Sequence, residues 1–232
     1  MVSHPKDKLI VALDYPAYDD ARALVEKLGG TVSFYKIGLE LLFSDGLALA
    51  SELKNEDKRV FLDMKFLDIG NTVQKAVAAV AGLGFDFLTI HGTDSKTMKA
   101  AVKGRGTSPL KLLAVTVLTS LDQADLHEQG IGMSPGELAL KRARLAQDSG
   151  FDGVIASGQE AASVRAAAGA NFLIVTPGIR LSGDAAGDQT RITTPEDALR
   201  SGANHLVVGR PITAAADPKR AAETVLSHIA SA

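Results

Sequence analysis

The sequence predicts a single α/β domain, residues 1–232, folded as a closed (β/α)8 TIM barrel. Eight short apolar stretches alternate with amphipathic ones along the 232 residues, and this alternation is typical of a parallel sheet. Eight such units are the number that closes a barrel. The alternative is an open doubly wound sheet, which places a glycine-rich turn after its first strand. Asp14-Tyr15-Pro16 occupies that position here, so the barrel is favoured.

The predicted strands are short runs of apolar residues, as expected for strands covered on both faces. They span residues 8–14, 33–38, 59–65, 87–91, 111–118, 153–157, 171–176 and 205–209.

The predicted helices follow the strands and carry apolar residues at helical spacing. Two of them cover residues 17–28 and 40–54, and two more begin near residues 71 and 95. The later ones cover residues 134–149 and 159–168, followed by a short helix after residue 194 and the last helix after residue 217. A capping box from Ser134 to Glu137, with Pro135 at the first helical position, marks one start. Residues 122–133 are predicted to form a short helix and a loop. Residues 180–193 are predicted to form a long polar loop, which is either a lid or a plain insertion.

The composition excludes several classes of function. A net charge of −2 at pH 7 lacks the basic field that nucleic acids and anionic membranes attract. The chain has no Cys, which excludes a disulfide framework and a thiolate nucleophile. No apolar run is long enough to span a bilayer, and the polar N-terminus does not resemble a signal peptide. We therefore expect a cytoplasmic protein.

Residues 61–72, FLDMKFLDIGNT, place charge at the end of a core strand. Asp63 and Lys65 share one face of an extended strand, and Asp68 follows closely. With Lys36 they form a set of two cations and two anions, which can be buried as a neutral network that keeps each group charged. The set predicts either a catalytic centre or a structural ion pair that fixes the strand end.

In a barrel of this kind the strand ends converge on one mouth, where active sites lie. The candidate residues at these ends are Asp14, Lys36, Asp63, Lys65, His91, Thr119, Ser120, Pro177, Arg180, Gly209 and Arg210. Gly209-Arg210 suits a phosphate, because glycine permits close backbone approach and Arg offers a forked cation, although a plain turn is the alternative. His91 is more typical of a hydrogen-bonded wall residue. The remaining His residues show no metal-ligand spacing, so no metal is predicted.

These residues resemble the family of orotidine 5′-monophosphate decarboxylases along the whole chain. The shared motifs are Asp63-x-Lys65-x-x-Asp68-Ile69 with Asn71-Thr72, ALD ending at Asp14, YKIG around Lys36, TVLTS ending at Ser120, TPGIR ending at Arg180, GDQ ending at Gln189, and VVGRPI over 207–212. The resemblance implies decarboxylation of orotidine 5′-monophosphate (OMP) to UMP, without a cofactor or a metal.

The resemblance also assigns roles to single residues. It implies that Lys65 protonates C6 of the pyrimidine, that Asp63 lies against the leaving carboxylate, and that Lys36 and Asp68 complete the network. The implied substrate contacts are Asp14 and Lys36 at the ribose, Thr119 and Ser120 at the base, Pro177 in the same pocket, and Arg180, Gln189, Gly209 and Arg210 at the phosphate. It implies a homodimer in which Asp68, Ile69 and Thr72 reach into the partner's site.

Two alternatives remain open from the sequence. A magnesium-dependent phosphosugar aldolase or 3-keto-gulonate 6-phosphate decarboxylase resembles the chain at Asp63, Lys65, Asp68 and the Gly-Arg phosphate site. In those enzymes the resemblance leads us to expect an acidic residue where Lys36 stands. A catalytically silent nucleotide-binding protein on the same barrel is expected to lose the charged residues, which are present here.

Overall fold

Eight parallel strands close into one barrel in the computed structural model, which describes residues 4–181, 187 and 190–232. Each strand pairs with the next in sequence, and the last pairs with the first through Leu9 and Leu206. The strands are β1 (Leu9–Leu13), β2 (Phe34–Ile37), β3 (Arg59–Phe66), β4 (Phe87–His91), β5 (Lys111–Val115), β6 (Gly153–Ile155), β7 (Leu173–Thr176) and β8 (His205–Val208). The predicted barrel is confirmed.

One short helix precedes β1, and the other helices follow the strands. They are α1 (Pro5–Lys8), α2 (Tyr18–Leu28), α3 (Leu39–Leu41), α4 (Leu47–Asn55), α5 (Gly70–Ala81), α6 (Ser95–Arg105), α7 (Gln123–Glu128), α8 (Pro135–Asp148), α9 (Gly158–Ala168), α10 (Pro195–Arg200), α11 (Arg210–Thr213) and α12 (Pro218–Ala230). The capping box at Ser134 is present, since its hydroxyl accepts from the Glu137 N–H and the Glu137 carboxylate accepts in return. None of the described helices is long and apolar enough to cross a membrane.

The single helix predicted over residues 40–54 is wrong, because the chain kinks in its middle. A π-type turn, Leu42–Gly46, separates α3 from α4, and Ser44 and Asp45 leave helical geometry there, Asp45 with φ +61°. Ser, Asp and Gly favour turns because the first two hydrogen-bond to their own backbone and glycine removes steric limits. The turn also brings Gly46 so close to Leu41 that a Cβ would lie 2.6 Å from the carbonyl oxygen.

Side-chain alternation along the strands divides the core into two regions. One cluster consists of strand residues that fill the barrel interior: Ile10, Ala12, Phe34, Phe61, Phe87, Leu113, Val175 and Val207. The other, larger cluster packs the outward faces of the strands against the helices. The rings of Phe34 and Phe61 both meet Phe87 edge to face, at centroid distances of 5.0 and 5.9 Å. This aromatic layer forms the floor beneath the residues two positions further along each strand.

Three pairs of neighbouring strands share the same type of hydrogen bond near their N-terminal ends. A side-chain oxygen just before an even-numbered strand accepts from a backbone N–H of the preceding strand. The pairs are Asp86 with Val60 at 2.8 Å, Asp152 with Leu112 at 3.0 Å, and Asn204 with Ile174 at 2.8 Å. These bonds fix the strand register at the end of the barrel opposite the mouth, and so fix which residues reach the mouth.

Candidate active site

A cavity of about 640 Å³ opens at the C-terminal ends of the strands. Ten of the sequence-predicted residues line it: Asp14, Lys36, Asp63, Lys65, Thr119, Ser120, Pro177, Arg180, Gly209 and Arg210. Their convergence follows from the parallel barrel, which brings every strand end to one mouth. The cavity is therefore the candidate active site.

Four of these side chains form a line of alternating charge, here called the charge network: Asp14, Lys36, Asp63 and Lys65. The Lys36 ammonium lies 2.8 Å from Asp14 Oδ1 and 3.5 Å from Asp63 Oδ2. Lys65 Nζ lies 2.9 Å from the same Oδ2. The side chains of Lys36 and Asp63 are 10% and 12% exposed, against 52% for Asp14 and 30% for Lys65, so the two ends of the line face the cavity opening.

The two inner groups of the charge network hold each other ionised. Burial opposes the charge on Lys36, but the carboxylates of Asp63 and Asp14 outweigh it and raise the pKa of the ammonium. Burial also opposes the charge on Asp63, yet Lys36 and Lys65 lower the pKa of its carboxyl below the usual range. Both groups therefore remain charged at neutral pH, as buried ions with oppositely charged partners do.

Little space is left beside the first ion pair of this network at Gly38. A Cβ built on Gly38 would lie 3.0 Å from both Asp14 Oδ1 and Lys36 Nζ. Gly38 also lines the cavity. Sequence reasoning treated it only as the end of a strand, although its position two residues after Lys36 was the available signal.

Asp68 does not join the network of its own chain. Its carboxylate is exposed and accepts from the N–H of Ile69 at 2.6 Å, and within the described residues it makes no ion pair. The second carboxylate of the in-chain network is Asp14. Ile69 is 73% exposed, Thr72 is exposed as well, and neither lines the cavity. The contribution of these three residues to a partner's site stays a prediction.

Two arginines lie at the side of the cavity formed by β7 and β8. Arg180 is 7% exposed and donates to the carbonyl of Ile179 at 2.8 Å. Arg210 follows Gly209 at the start of α11, and a Cβ on Gly187 would come within 2.6 Å of its guanidinium. Gly187 therefore lies next to the guanidinium of Arg210. Gln189, predicted at the same site, lies outside the described residues.

Thr190 and Arg191 are hydrogen-bonded to the loop after β5. Thr190 donates to the carbonyl of Thr119 through its N–H at 3.2 Å and its hydroxyl at 2.9 Å. Arg191 is buried, donates to the carbonyl of Leu118 at 2.8 Å, and pairs with Glu160 at 2.5 Å. The loop after β5 is thus linked, through the carbonyl of Thr119, to Thr190. Arg191 was not among the residues predicted from the sequence.

His91 does not line the cavity. Burial, together with Lys65 and Arg142, lowers the pKa of its imidazole, so the ring is neutral at neutral pH. Within the described parts of the chain, no three His, Asp or Glu side chains are grouped to hold a metal ion.

Residues 7–225 match the model of the orotidine 5′-phosphate decarboxylase / HUMPS family. The chain belongs to this family. Curated relatives named orotidine 5′-phosphate decarboxylase include one from Rhodopseudomonas palustris (strain HaA2), 52% identical over 98% of this chain and 96% of the relative. Another, from Caulobacter sp. (strain K31), is 54% identical over 96% and 97%.

A solved structure of an orotidine 5′-phosphate decarboxylase shares the fold. The crystal structure of orotidine 5′-phosphate decarboxylase from Lactobacillus acidophilus matches with a TM-score of 0.82 and 37% identity, over 95% of this chain and 98% of that one. The family expected from the motifs is therefore confirmed.

Proposed function

We propose that this chain converts OMP to UMP and carbon dioxide. The observation that carries the proposal is the charge network at the cavity mouth, with Lys65 at one end and two arginines on another side of the same cavity. Because Lys65 and the two arginines lie on different sides of the cavity, the site suits a ligand with a reacting carbon at one end and a phosphate at the other. Membership of the family and relatives at 52% and 54% identity support the same reaction.

Lys65 is the proposed acid. Loss of carbon dioxide from C6 leaves a carbanion in the plane of the pyrimidine ring, where the ring π system cannot accept the charge. An ammonium fixed near C6 stabilises the developing charge and then donates a proton to that carbon. The 2.9 Å contact with Asp63 supports this role, because it fixes the ammonium before substrate arrives.

Asp63 is the proposed neighbour of the substrate carboxylate. Its lowered pKa keeps it anionic, so a second carboxylate placed beside it is repelled. That repulsion is lost when carbon dioxide leaves, which lowers the barrier from the bound state. Lys36 keeps Asp63 charged and, with Asp14, is proposed to bind the ribose hydroxyls.

The remaining polar residues are proposed to bind the rest of the nucleotide. Thr119, Ser120 and Pro177 are assigned to the base, and Gln189 joins Arg180, Gly209 and Arg210 at the phosphate. Binding energy from a phosphate remote from C6 can be used to assemble the site around the reacting carbon. The described link between Thr190 and the loop at Thr119 supports such an assembly.

We propose that the reaction needs no metal and no cofactor. Asp63 is flanked by the ammonium groups of Lys36 and Lys65. A divalent cation at that carboxylate would lie next to two positive charges, which oppose its binding. The same two ammonium groups therefore argue against the magnesium-dependent alternatives.

The proposed assembly is a homodimer with shared active sites. Asp68, Ile69 and Thr72 lie exposed next to β3, and large apolar side chains nearby are also exposed, Leu67 by 57% and Phe43 by 85%. Exposed apolar patches of this kind are typical of interfaces. A second copy would cover them and bring Asp68 of the partner subunit to the cavity.

A complementation experiment tests the shared site. Lys65→Ala and Asp68→Ala are each expected to be inactive, but a mixed dimer contains one intact site. Random exchange makes half of the dimers mixed, so about a quarter of wild-type activity is expected. The control is Lys65→Ala mixed with Asp63→Ala, which leaves no intact site. No recovery in the first mixture, with exchange demonstrated by mass spectrometry, would contradict the shared site.

The proposal extends to the domain organisation, the cellular location and the partners of the chain. We propose that residues 1–232 act as one domain, supported by the packing of α12 against α2, which joins the C-terminal part of the chain to its N-terminal part. A cytoplasmic location is supported by the charge of the nucleotide substrate, which prevents it from crossing a bilayer unaided. The net charge of −2 supports a role that does not involve nucleic acid.

The decisive assay follows the ultraviolet absorbance of OMP with purified protein in excess EDTA. Conversion to UMP in EDTA is the expected result and dismisses the magnesium-dependent alternatives. Conversion only after magnesium is restored would contradict the metal-free mechanism. No conversion under either condition would refute the reaction, and phosphosugars would then be tested.

A further inference from the structure

Thr89 lies in the middle of β4 and is completely buried. None of the sequence motifs includes it. Phe87 belongs to the interior cluster and its neighbours Leu88 and Ile90 to the outer one. Thr89, two residues after Phe87, therefore points into the barrel, one level nearer the mouth.

The hydroxyl of Thr89 contacts both Lys65 and Asp63. The backbone N–H of Lys65 donates to Thr89 Oγ1 at 3.0 Å, and Thr89 Oγ1 lies 2.8 Å from Asp63 Oδ1. An amide N–H can only donate and an ionised carboxylate can only accept. The single hydroxyl proton is thus directed to Asp63, and both bonds have a defined polarity.

The Thr89 hydroxyl lies where the pairing of β3 with β4 is irregular. The register of β3 against β4 shifts between Leu62 and Phe66, and Lys65 adopts φ +49°. A left-handed conformation is unfavourable for a residue with a side chain and persists only where its surroundings enforce it. The hydrogen bond from the Lys65 N–H to Thr89 is one such restraint.

The same hydroxyl also determines which carboxylate oxygen faces the lysines. Thr89 occupies Oδ1 of Asp63, and Oδ2 is left for the ammonium groups of Lys65 at 2.9 Å and Lys36 at 3.5 Å. A rotation of the carboxylate would break the contact with Thr89. The orientation of the backbone of Lys65 and that of the Asp63 side chain are thereby coupled through one atom.

We propose that Thr89 is a positioning residue for the decarboxylation, because its hydroxyl fixes the Lys65 backbone and the Asp63 carboxylate in one arrangement. This role rests on the proposed function, in which Lys65 donates a proton to the substrate. Thr89 acts through these two residues and does not line the cavity. The prediction is that its hydroxyl affects the chemical step and not nucleotide binding.

The test compares Thr89→Val, which keeps the shape and removes the hydroxyl, with Thr89→Ser, which keeps the hydroxyl. T89V is expected to lower kcat roughly tenfold to a hundredfold, because a buried carboxylate and a buried N–H each lose a partner. The KM for OMP should change by no more than about twofold, since no phosphate or ribose contact is removed. T89S should recover most of the wild-type kcat.

Thr176→Val is the matched control. Thr176 is also completely buried in a strand, β7, and its hydroxyl makes no hydrogen bond within the described chain. T176V should keep the wild-type kcat, which separates loss of the Thr89 contacts from the general effect of burying Val in place of Thr. Rates are expressed per active site, counted by calorimetric titration with UMP. If T89V does not fold, Thr89→Cys replaces it, because a thiol is a weak donor, and its kcat should fall below that of T89S.

The outcomes separate this role from the reaction itself. Wild-type kcat in T89V or in its Cys substitute, or an equal loss in T89V and T89S, overturns the positioning role while the reaction stands. A loss confined to KM overturns it as well, because it would indicate a binding role. Absence of OMP turnover in the wild-type chain would instead refute the proposed function, and with it this role.

Discussion

The left-handed backbone of Lys65 leads to a stability prediction that is independent of its charge. Lys65 has φ +49°, where an L-residue is disfavoured by about 1–2 kcal/mol relative to the right-handed region. Lys65→Ala keeps a Cβ and therefore keeps this strain, whereas Lys65→Gly relieves it. Both variants lose the same ion pair with Asp63 and keep the same backbone bond to Thr89. The difference between them isolates the backbone.

The expected magnitude is small but measurable. Glycine recovers about 1–2 kcal/mol of strain and loses roughly 0.5–1 kcal/mol through the greater freedom of its unfolded chain. K65G should therefore be more stable than K65A by about 0.5–1 kcal/mol. For a chain of this length that corresponds to a Tm higher by about 1–4 °C. Both variants should be inactive, since neither carries the ammonium.

The assay is thermal unfolding of both variants without nucleotide, repeated by urea titration. The control pair is Lys99→Ala and Lys99→Gly, at an exposed position inside α6. There glycine should be the less stable by about 1 kcal/mol. If glycine destabilises position 65 as it does position 99, the backbone of Lys65 is not strained and the reasoning is wrong.

Three further predictions concern the phosphate end, the barrel interior and the cavity mouth. Arg210→Ala should lower kcat/KM for the nucleotide far more than for the phosphate-free nucleoside, and equal losses would remove Arg210 from the phosphate site. Burial lowers the pKa of His205 from 6.5 to about 4, so only the unfolded chain is protonated between these values and stability should fall as pH drops from 6.5 towards 4. His205→Gln should flatten that decline in urea midpoints; an unchanged slope would contradict it. Gly38→Ala, which crowds the first ion pair of the charge network, should lower kcat/KM roughly tenfold, whereas Gly136→Ala, with open space around it, should not.

The strand positions and the residues at the mouth could be predicted because they depend on local patterns. Apolar runs separated by helical periodicity define the eight units, and closure of a parallel barrel brings their ends together. Asp14, Lys36 and Asp63 were therefore predicted at one cavity, and they line it. The kink at Ser44 and Asp45 was missed because an apolar helical period continues across it, while the turn depends on the two small polar residues and on Gly46.

The partner of each charge could not be read from the sequence. Asp68 is close to Lys65 along the chain, yet Asp14, which is 22 residues from Lys36, completes the in-chain network. Which carboxylate meets which ammonium depends on strand register and on side-chain direction at the barrel mouth, and neither is encoded by proximity along the chain.

The sequence by itself determined the barrel, its family and the chemical groups at its mouth, because side-chain alternation and residue type are local properties. Only the tertiary structure determined how those groups are held. Thr89 meets Lys65 and Asp63 across 24 and 26 residues, at a shift in register between β3 and β4. Such contacts arise from the pairing of two strands and the left-handed turn of one residue, and no local pattern specifies either.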